Sequence, residues 1–444
     1  MKSRVLLALL GLCSVPYLVA EEAPKPPPII AIKAARLVDA PAGAVRENQM
    51  VVIEGDKIKT SGPVADVGKS LPPDARIIDL GNATVLPGLI DCHTHVTAQP
   101  KNYYEDIFRR SPIDVAVSAH IYARRTLEAG FTTIRDVGSE EFVDIALRKA
   151  IDSGAVIGPR ILCVGLGLGS TGGHADLSGF SPYLRFEQIA TAIADGPDAV
   201  RKAVRNNIKY GANWIKIMAS AGVLSEEESV GAPQYSEEEM KAAVEEAAMS
   251  GHKVAAHAHG TDAIKMAVRA GAASIEHGSL IDDEGIRLMK ERGTWLVADI
   301  YNDDYIVTEY TRLGYPQKII DKEKLVGRLQ RENFRKAARA GVKIAYGTDA
   351  GVYPHGWNGK QFAKMVEWGL TSMQAIQSAT VSAADLIGLK GKVGQLTPGA
   401  FADLIAVGGD PIADVTVLEK VAFVMKGGAI YKNTLTKDPV AKID

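Results

Sequence analysis

Val85-Leu86-Pro87-Gly88-Leu89-Ile90-Asp91-Cys92-His93-Thr94-His95 is an apolar run that ends in two histidines one residue apart. Alternate side chains of an extended strand share a face, so the spacing points both imidazoles the same way. Buried imidazole nitrogens need a partner, and a divalent metal is the usual one. A lone His-x-His pair is more often incidental than a ligand pair, so its meaning depends on what the remaining strands carry.

Further downstream the same pattern recurs. Asn213-Trp214-Ile215-Lys216-Ile217-Met218 places a lysine inside an apolar run, a costly position for an ammonium without a partner. Lys253-Val254-Ala255-Ala256-His257 and Ala273-Ser274-Ile275-Glu276-His277 end short strand-like runs in histidine, and Val342-Lys343-Ile344-Ala345-Tyr346-Gly347-Thr348-Asp349 ends in aspartate. Each run precedes a helical or loop stretch, so its polar residue falls at a strand's C-terminal end. A (β/α)8 barrel gathers its active site there.

This constellation resembles the amidohydrolase superfamily in its binuclear-metal branch, across nearly the whole chain. The matching residues are His93 and His95 after the first barrel strand, Lys216 after the fourth, His257 after the fifth, His277 after the sixth and Asp349 after the eighth. The resemblance implies that Lys216 is carbamylated by CO2, turning a cation into a carboxylate able to bridge two metal ions. Pro87-Gly88-Leu89-Ile90-Asp91, Gly172-Gly173-His174, Gly394-Gln395-Leu396-Thr397-Pro398-Gly399 and Ala402-Asp403-Leu404 resemble the imidazolonepropionase-related metal-dependent peptidases. That group includes prolidase-like enzymes, Xaa-Arg/Lys carboxypeptidases and ochratoxin-hydrolysing amidases.

The implied chemistry is amide hydrolysis. Two divalent cations held about 3.5–4 Å apart can share a hydroxide and polarise the scissile carbonyl. His93, His95 and Asp349 suit the more buried cation, His257 and His277 the more exposed one, with carbamylated Lys216 between them. Zinc is the expected metal, with manganese and cobalt as alternatives. Asp349 also takes the proton from the attacking water and delivers it to the leaving amine. The resemblance gives His174 a role in binding or polarising the substrate carbonyl. Tyr235, in Pro233-Gln234-Tyr235-Ser236 after the fourth strand, is placed to hydrogen-bond the substrate's carboxylate or an oxyanion.

Other polar residues read differently. His259 repeats the His-x-His form with His257 but begins the next helix, where it reads as capping or as support behind the ligands. His120 and His252 read as structural, and His355 as a loop residue. Tyr301, Asn302, Asp303, Asp304 and Tyr305 follow the seventh strand and are candidates for lining the pocket. Arg185 and Arg135 are candidates by position for holding a substrate carboxylate, Arg135 equally for an internal ion pair with Asp136. Gly165-Leu166-Gly167-Leu168-Gly169 has phosphate-loop glycines but does not open a helix as that fingerprint requires.

The chain's 444 residues exceed the roughly 250 of a bare barrel. Short strand patterns at residues 29–82 and 391–435 predict a small β-sandwich built from both ends, with the metal-dependent (β/α)8 barrel at 83–390 inserted between them. Lys2 and Arg4 before Val5-Leu6-Leu7-Ala8-Leu9-Leu10, with Ala20 before Glu21-Glu22, read as a cleavable signal peptide (1–20), followed by a proline-rich spacer (21–28). That pattern leads to an expectation of an exported, periplasmic bacterial enzyme, not held in the membrane after cleavage. Removing Cys13 leaves Cys92 and Cys163, too few for a disulfide framework. A net charge of −2 gives no argument for a nucleic-acid partner, so a small peptide or N-acyl amino acid is the expected substrate. The resemblance adds a homo-oligomer. Lactone or phosphotriester hydrolysis uses the same binuclear centre, whereas ring deamination uses one metal and lacks the bridging lysine.

Overall fold

The computed structural model describes residues 28–101, 109–181, 183, 192–227 and 229–442. The expected signal peptide, the spacer up to residue 27 and Arg185 lie outside these residues.

Both ends of the chain build one sheet. β1 (Ile29–Asp39), β2 (Ala44–Glu54), β3 (Lys57–Pro63), β4 (Arg76–Asp79) and β5 (Thr84–Pro87) come from the N-terminal part, and β15 (Leu404–Val407), β16 (Val421–Lys426) and β17 (Ala429–Asn433) from the C-terminal part. Their hydrogen-bonded order is β17-β16-β15-β5-β1-β2-β3, with β4 also on β1. The two ends meet where β5 and β15 run antiparallel, Leu86 opposite Ile405. The sheet turns back on itself, since Ile58 N donates to Ala400 O at 2.9 Å. Ile32, Val51, Ile53, Ile58, Leu404, Phe423 and Met425 fill the shared core. The expected sandwich is thus drawn as one rolled sheet.

Between those ends lie parallel strands alternating with helices. β6 (Leu89–Thr94), β7 (Phe131–Asp136) and β8 (Arg160–Cys163) form one parallel sheet. β9 (Leu168–Gly169), β10 (Ala192–Ile193), β11 (Ile215–Met218), β12 (Val254–Ala258), β13 (Ser274–His277) and β14 (Trp295–Val297) form another. β6, β11, β12 and β13 are buried along their whole length, which is why they read as continuous apolar runs rather than alternating ones. The helices between strands start where local capping favours it. Ser236 and Glu239 form a capping box before the helix Glu237–Met249, and Ser111 with Asp114 forms another that opens the helix Pro112–Glu128.

Residues 342–350, expected as the eighth strand, make isolated parallel bridges rather than a continuous ladder. Ile344 bridges Leu296 on the β14 side, and Ala350 bridges Thr94 on the β6 side. Cys92 N donates to Tyr346 O at 2.8 Å and Asp349 N to His93 O at 2.7 Å, so this segment lies between β14 and β6. Asp91 ties the same pair together: its carboxylate accepts from Thr348 Oγ1 at 2.6 Å, Asn358 Nδ2 at 2.9 Å and His93 N at 3.1 Å.

Candidate metal centre

The C-terminal ends of β6, β11, β12, β13 and the 342–350 segment deliver His93, Lys216, His257, His277 and Asp349 to one cavity of about 330 Å³, with His95 just beyond β6. Asp349 Oδ1 lies 3.3 Å from Nε2 of both His93 and His95. The donor atoms of His93, His277 and Asp349 all fall within 4.8 Å of one another, as do those of His257, His259 and His277. His277 belongs to both groups.

Partners behind each ring aim it. His93 Nδ1 sits 2.8 Å from Glu276 Oε2, His95 Nδ1 3.0 Å from Gly138 O, His277 Nδ1 2.9 Å from Asp299 Oδ1 and His259 Nδ1 2.7 Å from Ser279 Oγ. Such contacts on Nδ1 leave Nε2 facing the cavity, the usual arrangement of metal-binding histidines. His257 Nε2 is buried without a hydrogen-bond partner among the described residues. An orphaned buried nitrogen beside two other imidazoles and a carboxylate is a donor set that fits divalent cations.

Two ligand candidates adopt strained backbone. His277 has φ +69° and Asp349 φ +56°, in the left-handed region that non-glycine residues avoid. The consequence is geometric. Strand alternation would send Glu276 and His277 to opposite faces, but the reversal at His277 lets both serve the centre, Glu276 from behind His93 and His277 from the cavity wall. Close approach matters as well: a Cβ on Gly347 would come within 2.2 Å of Val297 Cγ1 and 2.9 Å of His93 Cβ.

Burial and neighbouring charge set the protonation states. Burial lowers the Lys216 pKa to about 8 despite the nearby Glu276 and Asp349 carboxylates, and its Nζ makes no hydrogen bond or ion pair among the described residues. Burial would raise the Asp349 pKa, but His93 and His95 outweigh it and hold the carboxylate well below its usual range. His93 is depressed by burial and by Lys216, yet Asp349 and Glu276 overcome both and raise it. Burial lowers His257 and His259 well below the ordinary imidazole value, and His174 to about 4.

Several expectations about individual residues change here. Tyr235 does not line the cavity: its ring packs in the hydrophobic core, and its hydroxyl is buried without a partner among the described residues. Its neighbour Gln234 faces the loop instead, accepting from His174 N at 2.9 Å, because adjacent residues of an extended segment point opposite ways. His174 is in the cavity, stacked on His257 at 4.2 Å between ring centroids. His259 does not cap a helix, since the N-cap of Thr261–Ala270 is Gly260, and its ring stacks on His277 at 4.6 Å. Arg135 is fully buried, 2.8 Å from Glu276 and not paired with Asp136, so it is not a substrate clamp. Of residues 301–305 only Asn302 lines the cavity, donating to Asp349 Oδ2 at 3.1 Å and Asp299 Oδ2 at 2.6 Å. His355 is buried against the backbone of His95 and Ala98.

Sequence reasoning missed Glu276, Asp299 and Gln330. Glu276 stands beside a ligand on a buried strand, and a carboxylate in such a run was the available signal. Asp299 and Gln330 carried no local signal, because they meet His277 only through the fold; Gln330 Nε2 donates to Asp299 Oδ1 at 2.8 Å.

Residues 84–431 match the amidohydrolase family. The chain is 33% identical over 415 residues to ochratoxinase from Aspergillus niger, covering 88% of this chain and 84% of that protein. The crystal structure of A. niger ochratoxinase superposes with a TM-score of 0.80 at 31% identity, over 91% of this chain and 96% of that one. A crystal structure of a Xaa-Pro dipeptidase with bound methionine in the active site superposes with a TM-score of 0.86 at 39% identity, over 91% of this chain and all of that one. The cavity with its histidine and aspartate donors, together with these matches along most of the sequence, makes this chain a hydrolase of C–N bonds that belongs to the amidohydrolase family.

Proposed function

We propose that this enzyme hydrolyses the amide bond of dipeptides or N-acyl amino acids and releases a C-terminal amino acid. The observation that carries this reading is the pair of donor triads sharing His277, set beside a buried lysine amine in one cavity. His93, His95 and Asp349 would hold one divalent cation, and His257 and His277 a second, with zinc the expected metal. His259 is a further donor on the second side. Lys216 would lie between them as a carbamate, formed when its neutral amine attacks the carbon of CO2 and loses a proton. Bound there, divalent cations supply Lewis acidity toward the scissile carbonyl and lower the pKa of water towards neutrality.

The chain's own groups do the rest. Asn302 fixes the outer oxygen of Asp349, leaving the carboxylate to accept a proton from the attacking water and pass it to the leaving nitrogen. His174, neutral because burial lowers its pKa to about 4, offers a ring N–H to the developing oxyanion without adding charge to the site. The parallel strands read as a single (β/α)8 barrel, supported by the bridges of Ile344 and Ala350 to its two neighbours and by Asn213 N and Trp214 N donating to Cys163 O. The names of the relatives, a Xaa-Pro dipeptidase and ochratoxinase, support the substrate class. The basic and apolar N-terminus supports export.

The test is a screen of metal-reconstituted protein against Xaa-Pro, Xaa-Lys/Arg and Xaa-Phe dipeptides and ochratoxin A. Amide cleavage with two metals per chain, lost in Lys216→Ala, is expected. Turnover of lactones or nucleobases alone, or full activity in Lys216→Ala, overturns the reading.

A further inference from the structure

The cation on the His257 side has more donors than the resemblance gives it. At the end of β12 stands His257-Ala258-His259, the same spacing as His93-Thr94-His95 at the end of β6. Strand alternation puts both imidazoles on one face, provided the chain stays extended past Ala258. It does. Gly278 N donates to Ala258 O at 3.1 Å and Leu280 N to His259 O at 2.8 Å, so the backbone pairing with the segment after β13 runs on beyond the strand. His259 N also donates to Ser220 Oγ at 2.9 Å, and Gly260 leaves no room for a side chain against Gly231 O.

The ring is as fixed as the backbone. His259 is 6% exposed, its Nδ1 lies 2.7 Å from Ser279 Oγ, and its face stacks on His277 at 4.6 Å with 11° between the planes. His257 meets it edge-on at 4.7 Å. That leaves Nε2 of His259 beside the orphaned Nε2 of His257, and the donor nitrogens of His257, His259 and His277 fall within 4.8 Å of one another. Three imidazoles so placed are a complete protein donor set for zinc or cobalt, with a further position left open. The other triad differs in kind, because it includes the Asp349 carboxylate.

We infer that His259 is the third ligand of the cation held by His257 and His277, and that this three-histidine site keeps its cation without the carbamate of Lys216. The resemblance gives that cation two histidines and makes it depend on the carbamate for the rest; the extended backbone past Ala258 removes the dependence. The inference rests on the reading of the cavity as a metal centre. It does not depend on which bond is hydrolysed.

The test reads metal and not turnover. His95→Ala leaves the other side at most two imidazoles, those of His93 and His277. Stripped of metal and CO2 and then given one equivalent of zinc, this variant should bind it, with X-ray absorption counting three imidazoles at about 2.0–2.1 Å. Adding His259→Ala should weaken that zinc by more than about 100-fold, beyond what the loss of a merely supporting partner causes. Two imidazoles at the zinc, or no zinc bound without CO2, overturn the inference. An unchanged affinity after His259→Ala overturns it too. Because the imidazole count is made with His259 in place, poor folding of the double variant does not rescue a failed inference. Two zincs in the CO2-treated wild type would keep the metal-centre reading whatever the count, and failure to cleave any amide would sink the hydrolase reading alone.

Discussion

His93 Nδ1 lies 2.8 Å from Glu276 Oε2, and the other oxygen of Glu276 lies 2.8 Å from Arg135, so a fully buried ion pair between β13 and β7, strands that do not pair with each other, aims the first ligand candidate. Burial alone would raise the Glu276 pKa, but Arg135 and His93 outweigh it and keep the carboxylate ionised. Glu276→Gln should therefore weaken metal retention by about 10- to 100-fold, as expected when a partner behind a ligand is lost. It also leaves Arg135 buried without its counter-charge, costing about 3–5 kcal/mol of stability. Metal titration followed by chemical denaturation checks both, and an unchanged metal affinity would refute the aiming role.

Lys216 must be uncharged to attack CO2. Its pKa is lowered from the usual 10.5 to about 8, so the neutral amine gains population as the pH rises through that value. Reactivation of metal-free protein by a divalent cation plus bicarbonate should accelerate by about tenfold or more between roughly pH 6 and pH 8. Lys216→Ala should show no bicarbonate dependence at any pH. A flat wild-type profile contradicts the carbamate.

His174 touches the ring of His257 but is not counted as a ligand. His174→Ala should keep its metal content while kcat falls by about 10²-fold, the typical loss of one donor to an oxyanion. Since burial holds its pKa at about 4, no loss of activity near pH 6 to 7 should trace to this residue. Elemental analysis and the pH profile of the variant test these points, and unchanged kinetics would remove His174 from the mechanism.

Glu323 carries a stability signature that can be read without substrate. Its folded pKa of about 8 exceeds the usual carboxyl value of 4.5, because burial penalises the charged form. Its stability contribution is fully present below about pH 4.5 and is lost as the pH rises through about 8, because the unfolded chain gives up this proton first. Glu323→Gln removes that loss. The variant should melt above the wild type at pH 8, and the gap should narrow towards pH 5. A gap that stays constant with pH contradicts an uncompensated carboxyl.

Gly347 permits the close approach of residues 342–350 to His93 and Val297. Gly347→Ala should destabilise by about 1–3 kcal/mol through overpacking and shift His93. Thermal unfolding measured alongside metal affinity should show both falling together. A fully stable variant with unaltered metal binding would show that the segment yields without disturbing the centre.

The residues that reach the cavity were largely legible in the sequence, because a polar residue ending a short apolar run is a local pattern. His93, Lys216, His257, His277 and Asp349 could each be picked out from a few neighbours. What misled was side-chain direction. Tyr235 follows a strand as a pocket residue would, yet it turns into the core while Gln234 takes the loop face. His259 stands where a helix cap is expected, but Gly260 takes that position and frees the ring for the centre.

The sequence by itself determined which side chains stand at the strand ends, since alternation and strand length are settled over a few residues. Only the tertiary structure decided how they meet. The left-handed backbone at His277 and Asp349, the Glu276–Arg135 pair behind His93 and the unpaired carboxyl of Glu323 all arise between segments far apart in the chain. Strain and uncompensated charge of that kind are sustained by packing from many directions at once. No local window of residues records that packing.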